Sequence, residues 1–478
     1  MKLRIGVFPV RLLRLSLEDS DRPLYHRIAD AVREALRDGR VSTGTLLPST
    51  RNLADEFEVH RHTISRALDD LVAEGWLESE PGRGYRAVAP PASEFGQVEV
   101  SWPQFTVTRD LSPREDGEYR FPSGQPDLRL FPRAEFFRLL RTQLRQTDPT
   151  ELLGYSDPAG SLRFRNQLKT YLSRMRGVNK GQVVVTHGSQ EAIFLLGQLF
   201  AKSERKTIAV EAMGYRPAWD ALRLSGARLV GLPVDEEGLV VDRLEELAAH
   251  EPPALLYLTP LHQYPTTVTL SMKRRQQLLS LIARFQIPVI EDDYDHEFHY
   301  SGRPHLPLAG EDESGLVVYV STFSKLVYPS ARLGFCVVDE KLLGPVCRLK
   351  RCTTRQNDLL FQGAMASWME DGGLERHLRR MRKIYGQRLD RMCHILAKAG
   401  LSFKKPNGGM SLWVDLGVDS RRVVDCAAEA GLPLRPGSFY SLDGEKKVTH
   451  LRLGFASSDE SEMDEGLQTL VRAWRRAL

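Results

Sequence analysis

The stretch Val320-Ser321-Thr322-Phe323-Ser324-Lys325, with Arg332 seven residues further on, carries more structural information than any other part of this chain. The primary amine of Lys325 can form a Schiff base with an aldehyde. The hydroxyls of Thr322 and Ser324 can donate hydrogen bonds to a phosphate, and the Arg332 guanidinium can clamp it with two parallel bonds. Taken alone, the stretch also fits a surface loop with an exposed lysine, so its interpretation depends on the rest of the chain.

Apolar, largely β-branched runs alternate with helical stretches from about residue 119 onward. Continuous apolar strands separated by helices are typical of a mostly parallel α/β sheet, which we expect here. Ligands of such sheets bind at the carboxyl ends of the strands, and candidate site residues follow each run. The runs cover residues 183–185, 207–210, 255–258, 288–290 and 317–320.

The residues after the first three runs can hold a flat, phosphorylated ring. Gly188-Ser189-Gln190 begins a helix, and the backbone N–H groups of a helix start favour a phosphate. Tyr215 follows the second run and can stack on a ring, and Tyr264 lies in the polar and aromatic loop after the third. A plain strand-to-helix turn and core aromatic residues are the alternatives for these positions.

Four acidic residues follow the fourth run, in Glu291-Asp292-Asp293-Tyr294-Asp295. A charge run is usually a solvated face, but that does not explain acids directly after a buried strand. The Asp292 carboxylate can pair with a protonated pyridine nitrogen, and Tyr294 can hydrogen-bond the ring 3′-oxygen. Together with Lys325 at the end of the fifth run, these groups predict a covalently held pyridoxal phosphate (PLP).

This order of groups resembles aminotransferase class I proteins, the PLP-dependent transferases of fold type I, over residues 119–475. The resemblance implies an α/β domain with a mostly parallel sheet and a small C-terminal α+β subdomain. It implies that Tyr155 reaches the phosphate of the neighbouring subunit's cofactor, and that Arg452 binds a substrate α-carboxylate. Arg216, which follows Tyr215, is a second candidate for binding the substrate or effector.

The segment 23–88 has the pattern of a winged helix-turn-helix. A helix from Pro23 to Gly39, a short helix capped by Ser49, a third helix from residue 61, and a hairpin with its tip at 81–84 follow in order. In this geometry the start of the third helix enters the major groove. The candidate DNA-binding residues are Ser49, Arg51, Arg61, His62, Thr63, Arg66 and Arg83. A helical interaction module without DNA affinity is the alternative.

The strings at 47–54, 60–68 and 71–77 resemble the GntR-type DNA-binding domain, which implies double-stranded DNA as a partner. Proline and polar residues then interrupt the hydrophobic periodicity over 89–118, as in a linker. We therefore expect a winged helix-turn-helix domain over 1–88, a linker over 89–118 and an aminotransferase-like domain over 119–478.

Composition places the chain among ordinary globular proteins. Its 478 residues, 42% hydrophobic and 27% charged, are too many for a single core, and the net charge of +4 permits a nucleic-acid partner without implying one. The sequence has no apolar run of about 18 residues, so it does not predict a membrane span, and no signal peptide is recognisable. Five scattered cysteines without metal-ligand spacing favour the cytoplasm and no metal site.

A GntR-like domain ahead of an aminotransferase-like domain resembles the MocR subfamily of bacterial transcription regulators. Segments 262–265 and 291–295 match its patterns, whereas 212–217 and 266–267 depart from them. The resemblance implies a PLP-dependent regulator that responds to an amino compound or to PLP, as a domain-swapped homodimer. Two alternatives stay open: a working class I aminotransferase with a vestigial DNA-binding domain, and a DNA-binding protein whose large domain only dimerises. Whether the protein turns over a substrate is left open.

Overall fold

The computed structural model describes residues 22–88, 120–201, 204–444 and 447–478. Contacts divide the chain into two compact units, Met1–Asp110 and Leu111–Leu478. Residues 1–21 and the predicted linker 89–118 lie outside the described residues. The domain limits given above therefore stay predictions.

The N-terminal unit has the winged helix-turn-helix fold that the sequence predicts. Pro23 precedes the first helix and Gly39 follows it at φ +73°, a conformation that glycine adopts without strain. The Ser49 side chain caps the second helix by accepting from the Asn52 N–H at 3.2 Å. The elements are α1 Leu24–Arg37, α2 Thr50–Glu56, α3 Arg61–Ala73, β1 Leu77–Glu80 and β2 Gly84–Ala87.

One face of α3 forms the core of this unit. Ile64, Leu68 and Leu71 are fully buried, and their spacing of four and three residues places them on one side of the helix. They pack in one cluster with the α1 residues Ile28 and Val32. The remaining face of α3 is therefore available to a partner.

The second unit is built from two sheets and a short ribbon. Its strands are β3 Gln182–Thr186, β4 Thr207–Glu211, β5 Arg228–Leu232, β6 Val234–Asp235, β7 Gly238–Leu239, β8 Leu255–Leu258, β9 Val289–Asp293, β10 Val317–Thr322, β11 Gly334–Val338, β12 Ser402–Phe403, β13 Ser411–Asp415 and β14 His450–Gly454. Each of the five predicted apolar runs contributes to a strand. One detail of the prediction was wrong: Glu291, Asp292 and Asp293 lie within β9, not after it.

Helices cover the sheets of this unit. They are α4 Arg133–Gln146, α5 Pro149–Leu153, α6 Leu162–Arg176, α7 Ser189–Phe200, α8 Arg216–Arg223, α9 Val241–His250, α10 Met272–Phe285, α11 Leu308–Glu311, α12 Glu340–Thr353, α13 Leu359–Glu370, α14 Gly373–Ala399, α15 Ser420–Glu429 and α16 Glu460–Ala477. No helix within the described ranges is long and apolar enough to cross a bilayer.

The large sheet has seven strands in the order β3-β11-β10-β9-β8-β4-β5. β10, β9, β8, β4 and β5 are parallel neighbours, while β11 runs antiparallel to both β10 and β3. The carboxyl ends of the parallel strands therefore share one edge with the start of β11. This topology brings residues far apart in sequence to a single edge.

Both faces of the large sheet are buried, and successive residues of each strand point to opposite faces. Val318 and Val320 of β10 pack in the cluster that contains Leu196 of α7, whereas Tyr319 packs in the cluster on the opposite face. The small sheet β12-β13-β14 packs with α15 and α16 in the C-terminal part. This is the small α+β subdomain that the sequence predicts.

Candidate functional site

A cavity of about 410 Å³ opens at the carboxyl edge of the parallel strands. It brings together thirteen of the fourteen residues predicted to bind the cofactor or the effector, although they span more than 260 positions of the chain. Those that line it are Gly188, Ser189, Gln190, Tyr215, Arg216, Tyr264, Asp292, Tyr294, Thr322, Ser324, Lys325, Arg332 and Arg452.

One end of the cavity has the geometry of an anion cradle. Gly188 precedes α7 with φ +77°, and a Cβ atom there would lie 3.1 Å from Nη2 of Arg332. That Nη2 donates to the His187 carbonyl at 2.8 Å, which fixes the guanidinium beside the start of α7. A Cβ atom at Gly334 would lie 2.6 Å from the Gly188 carbonyl carbon. Two glycines therefore keep this cradle open for a ligand at the helix start.

The connection from β10 to β11 supplies the next groups along the cavity. The Thr322 hydroxyl donates to Ser324 Oγ at 3.0 Å and accepts from the Ser324 N–H at 3.1 Å, with both residues buried. Lys325 follows them and is half-buried. Gly124, which sequence reasoning missed, approaches it so closely that a Cβ atom would lie 3.4 Å from Lys325 Cε. The lysine stem is thus confined on the side of Gly124.

Asp292 provides a buried carboxylate that points to a cationic ligand. The Tyr257 hydroxyl donates to its Oδ2 at 2.8 Å, whereas its buried Oδ1 has no hydrogen-bond partner. Burial raises the pKa of Asp292 to about 7, against the opposing effects of the Tyr257 hydrogen bond and of the Lys325 charge. An unfilled acceptor on a cavity wall fits the protonated ring nitrogen of PLP. The residues present therefore suit the cofactor that the sequence predicts.

The other acids of the run have structural partners. Glu291 accepts the Leu308 and Ala309 N–H groups at 2.7 and 2.9 Å, and burial raises its pKa to about 8. Asp293 accepts the Tyr319 hydroxyl at 2.5 Å. Successive residues of a strand point to opposite faces, so only the middle acid of the three reaches the cavity.

Two polar residues beneath the cavity were missed by sequence reasoning. Tyr257 is fully buried in an otherwise apolar strand. Its hydroxyl is the feature of the sequence from which its role could have been predicted. Glu211 ends β4 and accepts the N–H and hydroxyl of Thr259 at 3.0 and 2.9 Å. Burial raises the pKa of Glu211 to about 7. Through these hydrogen bonds, Tyr257 and Glu211 hold Asp292 and Thr259, which line the cavity.

Tyr294 and Arg452 meet on the opposite wall. The Tyr294 hydroxyl donates to the His262 carbonyl at 2.9 Å, so its single proton is engaged within the protein. Arg452 donates to Tyr294 Oη at 3.2 Å and to the Pro265 carbonyl at 2.6 Å. Its guanidinium lies 4.2 Å from the ring centre of Tyr264, and its buried Nε has no partner. This nitrogen is a donor available to an anion.

A second cationic region of the cavity lies at Phe439. The guanidinium carbons of Arg216 and Arg435 lie 4.7 and 4.3 Å from the ring centre of Phe439. Arg435 and Phe439 also line the cavity, but neither was predicted. They lie in the loop before β14, where no local sequence pattern marks a site.

Tyr155 is the predicted cofactor residue that does not line the cavity. Its side chain is 84% exposed and stacks with Arg355, whose guanidinium carbon lies 4.4 Å from the ring centre. Its assignment to the cofactor of a second subunit stays a prediction.

The predicted DNA-binding residues lie on the surface of the N-terminal unit. All are exposed except Thr63, which is half-buried; the exposed ones are Ser49, Arg51, Arg61, His62, Arg66 and Arg83. Arg61 donates to the Thr50 hydroxyl at 3.0 Å, and the Arg66 guanidinium carbon lies 4.0 Å from the Tyr25 ring centre. Side chains at the start of α3 are thus ordered in advance of any partner.

The two arginines of the wing differ in their contacts. Arg86 pairs with Glu80, its Nε lying 2.5 Å from the carboxylate, and also donates to the Gly44 carbonyl. The Tyr85 hydroxyl donates to Asp69 at 2.7 Å and joins the wing to α3. Arg86 therefore holds the wing together, and Arg83 is the arginine at its exposed tip.

Comparisons with known proteins agree with this geometry. The aminotransferase class I and II family model matches residues 117–470, and that of the gntR family of bacterial regulatory proteins matches residues 24–86. The chain is 30% identical to the probable rhizopine catabolism regulatory protein MocR of Rhizobium meliloti, over 95% of this chain and 94% of that one. It is 31% identical to 2-aminoadipate transaminase of Thermus thermophilus, over 76% and 91%.

Solved structures of aminotransferases share the fold of the second unit. The kynurenine aminotransferase of Pyrococcus horikoshii, in complex with PMP, is 29% identical with a TM-score of 0.71, over 76% of this chain and 92% of that one. The cofactor of this domain is pyridoxal phosphate. With a GntR-type domain ahead of an aminotransferase class I and II domain, the chain belongs to the MocR subfamily of bacterial transcription regulators.

Proposed function

We propose that this protein regulates transcription by binding DNA through its winged helix and by sensing an amino compound at a PLP held on Lys325. The observation that carries the proposal is the single cavity in which Lys325, the unfilled acceptor of Asp292 and the anion cradle at Arg332 converge. The same chain exposes the start of a recognition helix. One polypeptide thus has both a small-molecule site and a DNA-binding surface.

We assign each end of PLP to a separate group of residues. The Ser189 and Gln190 segment at the start of α7, the hydroxyls of Thr322 and Ser324, and Arg332 would hold the phosphate. Asp292 would accept the ring N–H, Tyr215 would stack on the ring, and Tyr264 would border it. When bound, PLP supplies an aldehyde that reacts reversibly with primary amines and a ring that withdraws electrons.

The protein's own groups set the protonation state of the ring end. Burial makes an ionised, unpaired Asp292 costly, so the carboxylate favours a cationic partner at its Oδ1. The Tyr257 hydroxyl orients the carboxylate from below at 2.8 Å. Tyr294, once its hydroxyl turns from the His262 carbonyl, can serve the ring oxygen.

The effector is an amino compound whose carboxylate, or other anion, binds Arg452. Its effect on DNA binding requires different affinities for two arrangements of the protein. Cavity walls from the large sheet and from the C-terminal subdomain meet here, since Arg452 of β14 donates to Pro265 and Tyr294. Occupancy at Arg452 alters contacts between these two parts, and this is the change that the linker transmits.

The DNA contacts follow from the exposed face of the winged helix. Arg61, His62, Thr63 and Arg66 enter the major groove from the start of α3. Ser49, Arg51 and Arg83 contact phosphates on either side. The protein acts as a homodimer, with Tyr155 of each chain serving the cofactor of the other, and with the winged helices domain-swapped.

A working aminotransferase is the second candidate. The observation that favours it is that Lys325, Asp292, Tyr294 and Arg452 line one cavity, because these are the groups that the chemistry needs. DNA binding and turnover discriminate between the two. Efficient exchange between an amino acid and a keto acid, with no genomic fragment retained at moderate salt, would favour the enzyme.

The Lys325→Ala variant tests the regulator. Borohydride reduction of the wild-type protein should fix PLP on Lys325, as peptide mass mapping would show, and the variant should yield no such adduct. Its DNA affinity for the upstream region of its own gene should persist, whereas the response to amines should vanish. An adduct on a different lysine, or an amine response that survives in the variant, would contradict the assignment.

A further inference from the structure

The cavity carries far more positive than negative charge. Six cationic side chains line it, and Asp292 is the single carboxylate among the described lining residues. The cations are Arg120, Arg216, Lys325, Arg332, Arg435 and Arg452. This inference rests on the proposed function, in which the PLP phosphate binds Arg332 and an effector carboxylate binds Arg452. Arg120, Arg216 and Arg435 remain as further cations of the cavity.

Arg216 and Arg435 are held at one aromatic ring. Their guanidinium carbons lie 4.7 and 4.3 Å from the centre of Phe439, and both side chains are half-buried. Stacking on a ring fixes the plane of a guanidinium while its N–H edge stays able to donate. A pair of such edges on one wall can bind a carboxylate with charge-assisted hydrogen bonds.

A row of aromatic rings connects this pair to Arg452. Phe439 and Tyr440 have ring centres 5.4 Å apart, as have Tyr440 and Tyr264, and Arg452 lies over Tyr264 at 4.2 Å. An amino acid bound at Arg452 can extend its side chain along this row. Aromatic walls suit methylene groups, and the row ends at two guanidinium groups.

We infer that the effector is an amino acid with a second acidic group, and that Arg216 and Arg435 bind this group. The two arginines belong to different parts of the second unit: Arg216 begins α8 beside the large sheet, and Arg435 precedes the 3-10 turn Gly437–Tyr440 of the C-terminal part. A second acid that contacts both has a higher affinity for the arrangement in which they are close. This is the differential affinity that a regulatory ligand requires.

Matched pairs of amino acids test the inference on the full-length, PLP-loaded protein. L-2-aminoadipate and L-norleucine have equally long side chains that end in a carboxylate or a methyl, and L-glutamate and L-norvaline form a shorter pair. The change in PLP absorption gives the half-saturating concentration of each. We expect the diacid of at least one pair to bind at least about tenfold more tightly than its partner, as a charge-assisted bond predicts.

Arginine variants locate the source of this preference. Arg435→Gln and Arg216→Gln should weaken binding of the diacid far more than binding of the monoacid, and so bring the ratio within a pair close to one. Arg435→Lys, which keeps the charge, should retain part of the preference for the diacid. Arg223→Gln is the matched control, because Arg223 is on the same helix α8, pairs with Asp220 and does not line the cavity.

The outcomes separate this inference from the proposed function. Monoacids that shift the PLP spectrum as readily as diacids would overturn the inference and leave amine sensing intact. A diacid preference that survives both glutamine variants would overturn the assignment to these arginines. If no amine shifts the spectrum of PLP-loaded protein, amine sensing itself fails, and the inference fails with it.

Discussion

Replacing Asp292 by asparagine should stabilise the PLP-free protein and weaken PLP binding. The Asp292 side chain is buried, and burial raises its pKa from 3.8 to about 7. A carboxyl whose pKa is higher in the folded protein contributes stability that is complete below pH 4. This contribution is lost as the pH rises towards 7, because the folded state then has to ionise a buried group.

The size of the effect follows from that shift. Three pKa units correspond to about 4 kcal/mol of unfolding free energy above pH 7, and to about 1–2 kcal/mol at pH 5. Asparagine has no charge at either pH and can accept the hydrogen bond of Tyr257 through its own Oδ1. The PLP-free variant should therefore exceed the wild type by up to about 4 kcal/mol at pH 8, with a smaller gap at pH 5.

Urea titrations of both PLP-free proteins at pH 5 and pH 8 measure this gap, with the exposed Asp425→Asn as control. Loading with PLP should narrow this gap, since asparagine cannot pair with a ring N–H as a carboxylate does and the variant gains less stability from bound PLP. PLP affinity should fall about 10- to 100-fold. A gap independent of pH, or a variant less stable than the wild type at pH 8, would refute the argument from burial.

Three further perturbations test other parts of the structure. Gly334→Ala should lower PLP affinity, measured by equilibrium dialysis, by at least about tenfold, because its Cβ would lie 2.6 Å from the Gly188 backbone. Gly344→Ala is the control and should leave the PLP affinity unchanged, because a Cβ there has no atom within 4 Å. Arg61→Ala should cost about 1–3 kcal/mol of operator binding and relax one base position, which a panel of single-base variants in a binding titration would show. Mixing Tyr155→Ala with Lys325→Ala chains should yield mixed dimers that retain one intact PLP site, and a full loss of bound PLP in the mixture would speak against the contribution across subunits.

Much of the fold was predictable because the apolar runs are short, β-branched and separated by helical stretches. Each run became a strand, and the parallel arrangement placed their carboxyl ends at one edge. Ser49 and Gly39 marked helix ends in the N-terminal unit through local backbone chemistry alone. Such features depend on neighbours in sequence, so sequence alone is enough to find them.

The residues that were missed depend on contacts between distant segments. Gly124 reaches Lys325 across some 200 positions, and Arg435 joins Arg216 at Phe439 from the C-terminal part. No periodicity marks such positions. Hydrogen-bond partners were equally hidden: nothing in the local sequence of the wing shows that Arg86 pairs with Glu80.

The connection from β10 to β11 contains both Lys325, which we propose for covalent attachment of PLP, and Arg332 of the anion cradle. Because β11 runs antiparallel to β10, the connection between them begins and ends at the same edge of the sheet. Lys325 and Arg332 both lie on this connection and line the cavity. A single insertion there would displace both groups relative to the ring and the phosphate together. Natural length variation should thus be absent from this loop and permitted at the opposite edge of the sheet, where the described connections do not line the cavity. On the proposed function, engineering of the ligand preference should accordingly leave this loop untouched and vary the segment around Arg435.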